Sequence, residues 1–168
     1  MKINKPKFWG ERNNLFSYIL LPITLLVLFF IFFKCRIIQP FNFNIPIICV
    51  GNIYIGGTGK TPTSIAIAKE IVELGKNPVI LRKFYKNHKD EHIILKKTTN
   101  LILGKSRKKI LEKAILSKKK ILIFDDGLQD RNINYDLKFV CFNSNKWIGN
   151  GRLIPSGPLR EKIDSLKG

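Results

Sequence analysis

The sequence predicts an α/β sandwich, a mainly parallel sheet covered by helices on both faces, preceded by a membrane-associated helix at the N-terminus. Three observations predict it. Short apolar runs at 45–50, 78–81, 101–103, 121–124 and 137–142 are continuous, the pattern of strands buried on both faces. Helix-like stretches at 62–74 and 105–117 separate them. Residues 15–33 carry no charge.

With 168 residues the chain holds one domain with a real core plus its N-terminal segment. The expected division is an anchor at 1–40 and a phosphate-binding lobe at 41–168. In the anchor, the uncharged stretch lies between Arg12 and the pair Lys34 and Arg36. That matches the roughly 20 residues of helix that cross a hydrocarbon core. It is too long and too aromatic for a signal peptide, and no small-residue cleavage site follows. Lys2, Lys5, Lys7 and Arg12 outnumber Lys34 and Arg36, which would keep the N-terminus in the cytoplasm. A single full span would then put the rest of the chain outside. A helix that enters and returns on one face, bending at Pro22, is the favoured reading. Phe8, Trp9, Phe16 and Tyr18 suit the interfacial belt in either case.

The first strand, 45–50, leads into Gly51-Asn52-Ile53-Tyr54-Ile55-Gly56-Gly57-Thr58-Gly59-Lys60-Thr61. The helix at 62–74 follows, with Ile65, Ala66, Ala68, Ile71, Val72 and Leu74 as its apolar positions and Gly75 as a C-cap candidate. Strand, glycine loop, Lys-Thr and helix in that order wrap backbone N–H groups around phosphate oxygens. The fold is therefore expected to be P-loop NTPase-like. The loop from Tyr54 through Ile55, Gly56, Gly57, Thr58 and Gly59 would hold the nucleotide phosphates. Lys60 would reach the β- and γ-phosphates and Thr61 would hold Mg²⁺. The strict pattern has glycine where this chain has Tyr54.

The strand at 78–81 closes a βαβ unit, whose right-handed crossover makes the two strands parallel. Residues 82–97 look too polar to pack. A short strand at 101–103 precedes a basic helix at 105–117 with Ile110, Leu111, Ala114 and Ile115 on one face. The strand at 121–124 ends in Asp125-Asp126-Gly127. A carboxylate at a strand tip is the usual partner of a phosphate loop, because it completes the Mg²⁺ shell. Either Asp125 or Asp126 could serve. After the strand at 137–142, residues 149–161 form a long loop rich in glycine and proline. Asn150 and Arg160 are its candidate substrate contacts, Arg160 having a planar fork suited to phosphate.

The net charge of +18 brings nucleic acid and anionic membrane into consideration. No aromatic-interleaved basic motif or zinc-finger spacing supports the first, and no nucleic-acid partner is expected. Cys35, Cys49 and Cys141 are odd in number and lie in apolar contexts, so they read as free buried thiols.

Four segments together resemble the tetraacyldisaccharide 4'-kinases, the lipid A 4'-kinase family. They are Lys5-Pro6-Lys7-Phe8-Trp9; Val50-Gly51-Asn52 leading to Gly56-Gly57-Thr58-Gly59-Lys60-Thr61-Pro62; Asp125-Asp126-Gly127-Leu128-Gln129; and Gly149-Asn150-Gly151 through Pro155-Ser156-Gly157-Pro158-Leu159-Arg160-Glu161. The resemblance implies phosphorylation, with ATP and Mg²⁺, of the 4'-hydroxyl of an acylated glucosamine disaccharide at the cytoplasmic face of the inner membrane. It also implies a general base, for which Asp90, beside Glu91, is the best match. Three features depart from the family. Its Ser-Arg-Gly-Tyr-Gly appears as Leu81-Arg82-Lys83-Phe84-Tyr85, and the segment leading to Asp90 is shorter. The chain ends at Gly168, so a second lobe, and the histidine that partners the family's catalytic Asp, are expected to be absent. Neither His88 nor His92 stands where that histidine would be. Poor turnover by this chain alone is expected, the alternative being a degenerate membrane-anchored nucleotide-binding module.

Overall fold

The computed structural model describes residues 5–85, 89–117 and 121–166, with the backbone alone for Lys34, Cys35, Lys89, Asp90, Glu91 and Lys108. Five strands form one sheet: β1 (Ile47–Gly51), β2 (Pro78–Lys83), β3 (Leu101–Gly104), β4 (Ile121–Asp125) and β5 (Leu137–Val140). All pair in parallel, in the order β3-β2-β4-β1-β5. The helices are α1 (Leu15–Ile19), α2 (Leu21–Ile37), α3 (Lys60–Glu73), α4 (Lys89–Thr98) and α5 (Arg107–Leu116).

The chain divides into two units. One comprises Pro40–Gly51 and Gly59–Cys141 and contains the sheet. Alternate residues of its central strands face opposite sides. Cys49, Leu81, Leu122 and Phe124 pack with Ile110, Leu111 and Ala114 of α5. Val50, Ile80 and Ile123 pack with Ala68 and Ile71 of α3 and Leu95 of α4. Helix α3 ends as the glycine predicts. Gly75 has φ +70, its N–H donates to Val72 O, and the Lys76 N–H donates to Ile71 O, which satisfies two terminal carbonyls. Burial pushes the Cys49 thiol up to about 12, so it is a neutral core group.

Two expectations for this unit need correction. The stretch 82–97 does pack: Arg82 is buried in β2, and α4 buries Leu95 and His92, whose ring stacks on Phe84 at 5.2 Å. The two lie at i and i+3, on one face of the helix, while Ile93, Ile94, Lys96 and Lys97 are exposed. Strand β5 is not buried on both faces; Leu137 and Phe139 are exposed, because β5 is the sheet's edge and pairs with β1 alone.

The other unit comprises Met1–Gln39, Asn52–Thr58 and Phe142–Gly168. Residues 149–160 are fastened to the N-terminal segment. The buried Trp9 donates its Nε1–H to Pro155 O at 3.1 Å, and Asn150 N–H donates to Trp9 O at 2.8 Å. Inside α2, Thr24 Oγ1 meets Ser156 Oγ at 2.7 Å. Gly149 (φ +60) takes the left-handed conformation with the Trp9 carbonyl close by, where a Cβ would have no room.

The uncharged stretch is not one helix. Helix α1 stops at Leu20, whose N–H closes on Phe16 O, and α2 starts afresh with Pro22 in its first turn. Proline suits that place because the missing N–H would have no helical partner there. Among the described residues, no helix is long and apolar enough to cross a membrane. Helix α2 nevertheless exposes Ile23, Leu25, Leu26, Phe29, Phe30, Phe32 and Phe33.

Candidate phosphate-binding site

The glycine loop is shared by both units, and chain continuity from Thr58 to Gly59 joins its two halves. In the first half, the fully buried Asn52 sits under the turn. Its Nδ2 lies 2.6 Å from Tyr54 O, 3.1 Å from Gly56 O and 2.9 Å from Thr58 Oγ1. Because the peptide is trans, turning the Gly56 carbonyl toward Asn52 turns the Gly57 N–H the other way. Nothing stands within 4 Å of where a Cβ on Gly57 would be. Tyr54 and Ile55 are occupied differently. Tyr54 forms an antiparallel bridge with Leu159, and the Ile55 N–H donates to Pro158 O at 2.9 Å. The backbone of these two residues is thus engaged by residues 158 and 159.

In the second half, Gly59 (φ +83) ends the turn and caps α3, which places Lys60 and Thr61 in the helix's first turn. The Lys60 and Thr61 N–H groups precede the first bond of the helix, Thr63 N–H to Gly59 O at 3.0 Å, and share the partial positive charge of its N-terminus. The register of β2 against β4 pairs Leu81 with Phe124, so Arg82 and Asp125 come next at the strand ends and face α3. Thr61 Oγ1 donates to Asp125 Oδ2 at 3.1 Å, and Ser64 Oγ donates to Oδ1 at 3.4 Å. Arg82 Nη1 donates to the same Oδ2 at 2.5 Å and lies 2.8 Å from Thr61 Oγ1. Burial pushes the Asp125 pKa up, against the pull of the Arg82 guanidinium, the Thr61 hydroxyl and Lys60. Direct contact with the Arg82 guanidinium favours its carboxylate over the neutral acid. Asp126 takes φ +64, which turns its side chain to Lys60 Nζ at 3.2 Å. Its carbonyl accepts from Arg107 Nη2 at 2.6 Å.

This chain matches the family model described as tetraacyldisaccharide-1-P 4'-kinase over residues 16–168. The chain belongs to that family. It is 48% identical to the tetraacyldisaccharide 4'-kinase of Pelagibacter ubique over 99% of its own length and 53% of that relative's. To the enzyme of the same name in Rickettsia canadensis it is 35% identical over 96% of this chain and 54% of that one. The solved structure described as an "apo" form of LpxK from Aquifex aeolicus in complex with ATP superposes with TM-score 0.75 at 23% identity, over 91% of this chain and 56% of that one. The chain thus spans about half the length of the curated relatives it matches.

Of the site residues the sequence suggested to this family member, Thr61, Lys60, Asp125 and Asp126 come together. Asp90 falls in the first turn of α4, and its side chain lies outside the described residues, as does all of His88. Asn150 is engaged inside the protein. Its Nδ2 lies within 3.3 Å of Phe8 O, Ser17 Oγ and Ser156 O, and its Oδ1 accepts from Arg152 N–H. The Arg160 N–H donates to Ile53 O at 2.7 Å. Sequence reasoning missed Asn52 and Arg82. The signal for Arg82 was present: an arginine opposite a strand-tip carboxylate once the β2–β4 register is drawn.

Proposed function

We propose that this chain carries the nucleotide-binding lobe of a kinase that transfers a phosphoryl group from ATP to the 4'-hydroxyl of a tetraacylated glucosamine disaccharide 1-phosphate. One observation carries the reading: a glycine turn with its carbonyls drawn onto Asn52 ends in Lys60 and Thr61 at the start of α3, beside the Asp125–Asp126 pair. Backbone N–H groups, a helix N-terminus and a lysine form a cradle for polyphosphate. Family membership supports the choice of acceptor, since the relatives carry that name.

The donor set around Thr61 is a hydroxyl and two carboxylates, all hard oxygen ligands. It suits Mg²⁺, which takes one or two carboxylates and completes its octahedron with phosphate oxygens and water. When bound there, Mg²⁺ neutralises charge on the transferring phosphoryl group. Thr61 and Asp125 would hold it, with Asp126 released from Lys60 as the third donor. Lys60 grips the phosphates by charge, while Asn52 keeps the turn in shape. The family resemblance assigns Asp90 the attacking hydroxyl's proton.

We place the chain at the cytoplasmic face of the inner membrane. The support is the apolar surface of α2 and the basic residues Lys7 and Arg12 near it in sequence. An anionic lipid surface attracts such charges by about 1 kcal/mol each.

Titration with MgATP, followed by transfer from γ-labelled ATP to a tetraacyl disaccharide 1-phosphate in detergent, tests the reading. Binding should weaken about 10-fold to 100-fold in Lys60→Ala, the loss of a charge-assisted hydrogen bond of about 1.5–3 kcal/mol. Unchanged MgATP affinity in that variant refutes the phosphate site. Nucleotide binding without transfer favours the degenerate module.

A further inference from the structure

The glycine loop has a second lysine, one that no nucleotide-loop pattern includes. Lys5 lies far from the loop in sequence, yet within their common unit its side chain crosses the loop's first half. Its Nζ stands 4.6 Å from the centre of the Tyr54 ring, a cation–π contact. The same Nζ sits where a side chain on residue 56 would begin, with Lys5 Cε 2.9 Å from that position. Gly56 is required for its φ of +118, and its missing side chain leaves the place where the Lys5 ammonium lies.

Among the described residues, Lys5 has no carboxylate partner. Burial lowers the Lys5 pKa, and the like charge of Lys146 lowers it further. An ammonium partly withdrawn from water and facing a like charge is unfavourable unless something else is gained. Here the ammonium stands at Tyr54 and Gly56, in a loop whose backbone is suited to receive an anion. Tyr54 explains part of the arrangement. A glycine at that position would leave the Lys5 stem without a surface, whereas the ring holds the ammonium at the turn. The departure from the strict glycine pattern is then a means of recruiting a cation.

We propose that Lys5 is a phosphate-binding residue, its ammonium contacting the terminal phosphate of a nucleoside triphosphate held by the Gly56–Thr61 turn. This rests on the phosphate-site reading above and adds to it a contact from outside the loop. A contact to the outermost phosphate distinguishes triphosphate from diphosphate, which the loop's own N–H groups do much less.

The test is titration of the full chain with ATP and with ADP, each with Mg²⁺, for the unaltered protein and for Lys5→Met, Lys5→Arg and Lys60→Ala. Lys5→Met keeps the aliphatic stem on Tyr54 and removes only the charge. The expected result is a loss of about 10-fold or more in ATP affinity for Lys5→Met, an ADP affinity within about 2-fold, and substantial recovery in Lys5→Arg. Melting temperature should stay where it was. Equal affinities for both nucleotides in Lys5→Met and the unaltered protein overturn the proposal while leaving the loop's role intact, provided Lys60→Ala still weakens both. Equal loss of ATP and ADP together with a lower melting temperature also overturns it, making Lys5 a packing residue. Absence of ATP binding by the unaltered chain removes the phosphate-site reading itself, and the proposal with it.

Discussion

Replacing Arg82 by methionine should destabilise the sheet-bearing unit in a pH-dependent way. The Arg82 and Asp125 side chains are 5% and 0% exposed, in contact at 2.5 Å, so neither can turn to water when the other is lost. Removing one partner of such a pair costs about 3–5 kcal/mol, because the other charge stays buried without compensation. Asp125 keeps the hydroxyls of Thr61 and Ser64, which favours the lower figure of about 3 kcal/mol. For a chain of this size that corresponds to a fall of roughly 6–12 °C in melting temperature. The sign with pH follows from Asp125. Burial already raises its folded pKa above the unfolded value, and loss of the guanidinium raises it further. The folded variant therefore holds its proton more tightly than the unfolded chain does. Its penalty is small below the unfolded value of about 4 and grows as pH rises through the folded one. Thermal melts by circular dichroism at pH 4.5 and 7.5 should show the gap between variant and parent widest at pH 7.5. The double change Arg82→Met with Asp125→Leu, which leaves no buried charge behind, should recover at least half of it. A gap equal at the two pH values, or below about 1 kcal/mol at neutral pH, would show that no uncompensated charge is left at Asp125.

Two further outcomes follow from the other unit. Asn150→Ala should cost about 1–3 kcal/mol by stranding the acceptors it bridges, read as faster proteolytic cleavage within 142–166, with nucleotide affinity unchanged. A variant as protease-resistant as the parent would show that its amide is not what holds the loop. Glutamate at both Leu26 and Phe30, exposed one helical turn apart on α2, should weaken binding to anionic lipid vesicles more than about 100-fold, from the apolar burial lost. Vesicle binding that survives both changes would move the membrane contact elsewhere.

The parts of the fold that sequence made legible are those where one residue type has one use. Continuous apolar runs mean strands covered on both sides, and glycines before Lys60-Thr61 mean a tight turn into a helix. The strand-tip acids are legible for the same reason. What escaped depends on partners distant in sequence. Arg82 looks like surface charge until the β2–β4 register sets it opposite Asp125, and the polarity of 82–97 conceals a helix seated on Leu95 and His92. Exposure of β5 follows from its place in the strand order, which periodicity does not report. Asn150 shows a different limit. It stands in a segment that looks built for a ligand, and its amide is turned inward to Phe8, Ser17 and Ser156. A residue can be demanded by a loop's shape as firmly as by chemistry.

The fastening of Trp9 to Pro155 and of Thr24 to Ser156 spans 146 and 132 residues of chain. Synthesis at 5–20 residues per second puts roughly 7–30 s between emergence of the two partners from the ribosome. For all of that interval the nascent α1 and α2 lack the loop that later covers Trp9 and Thr24. The order of synthesis thus leaves the oily helices without that cover at first, and the clasp closes only afterwards.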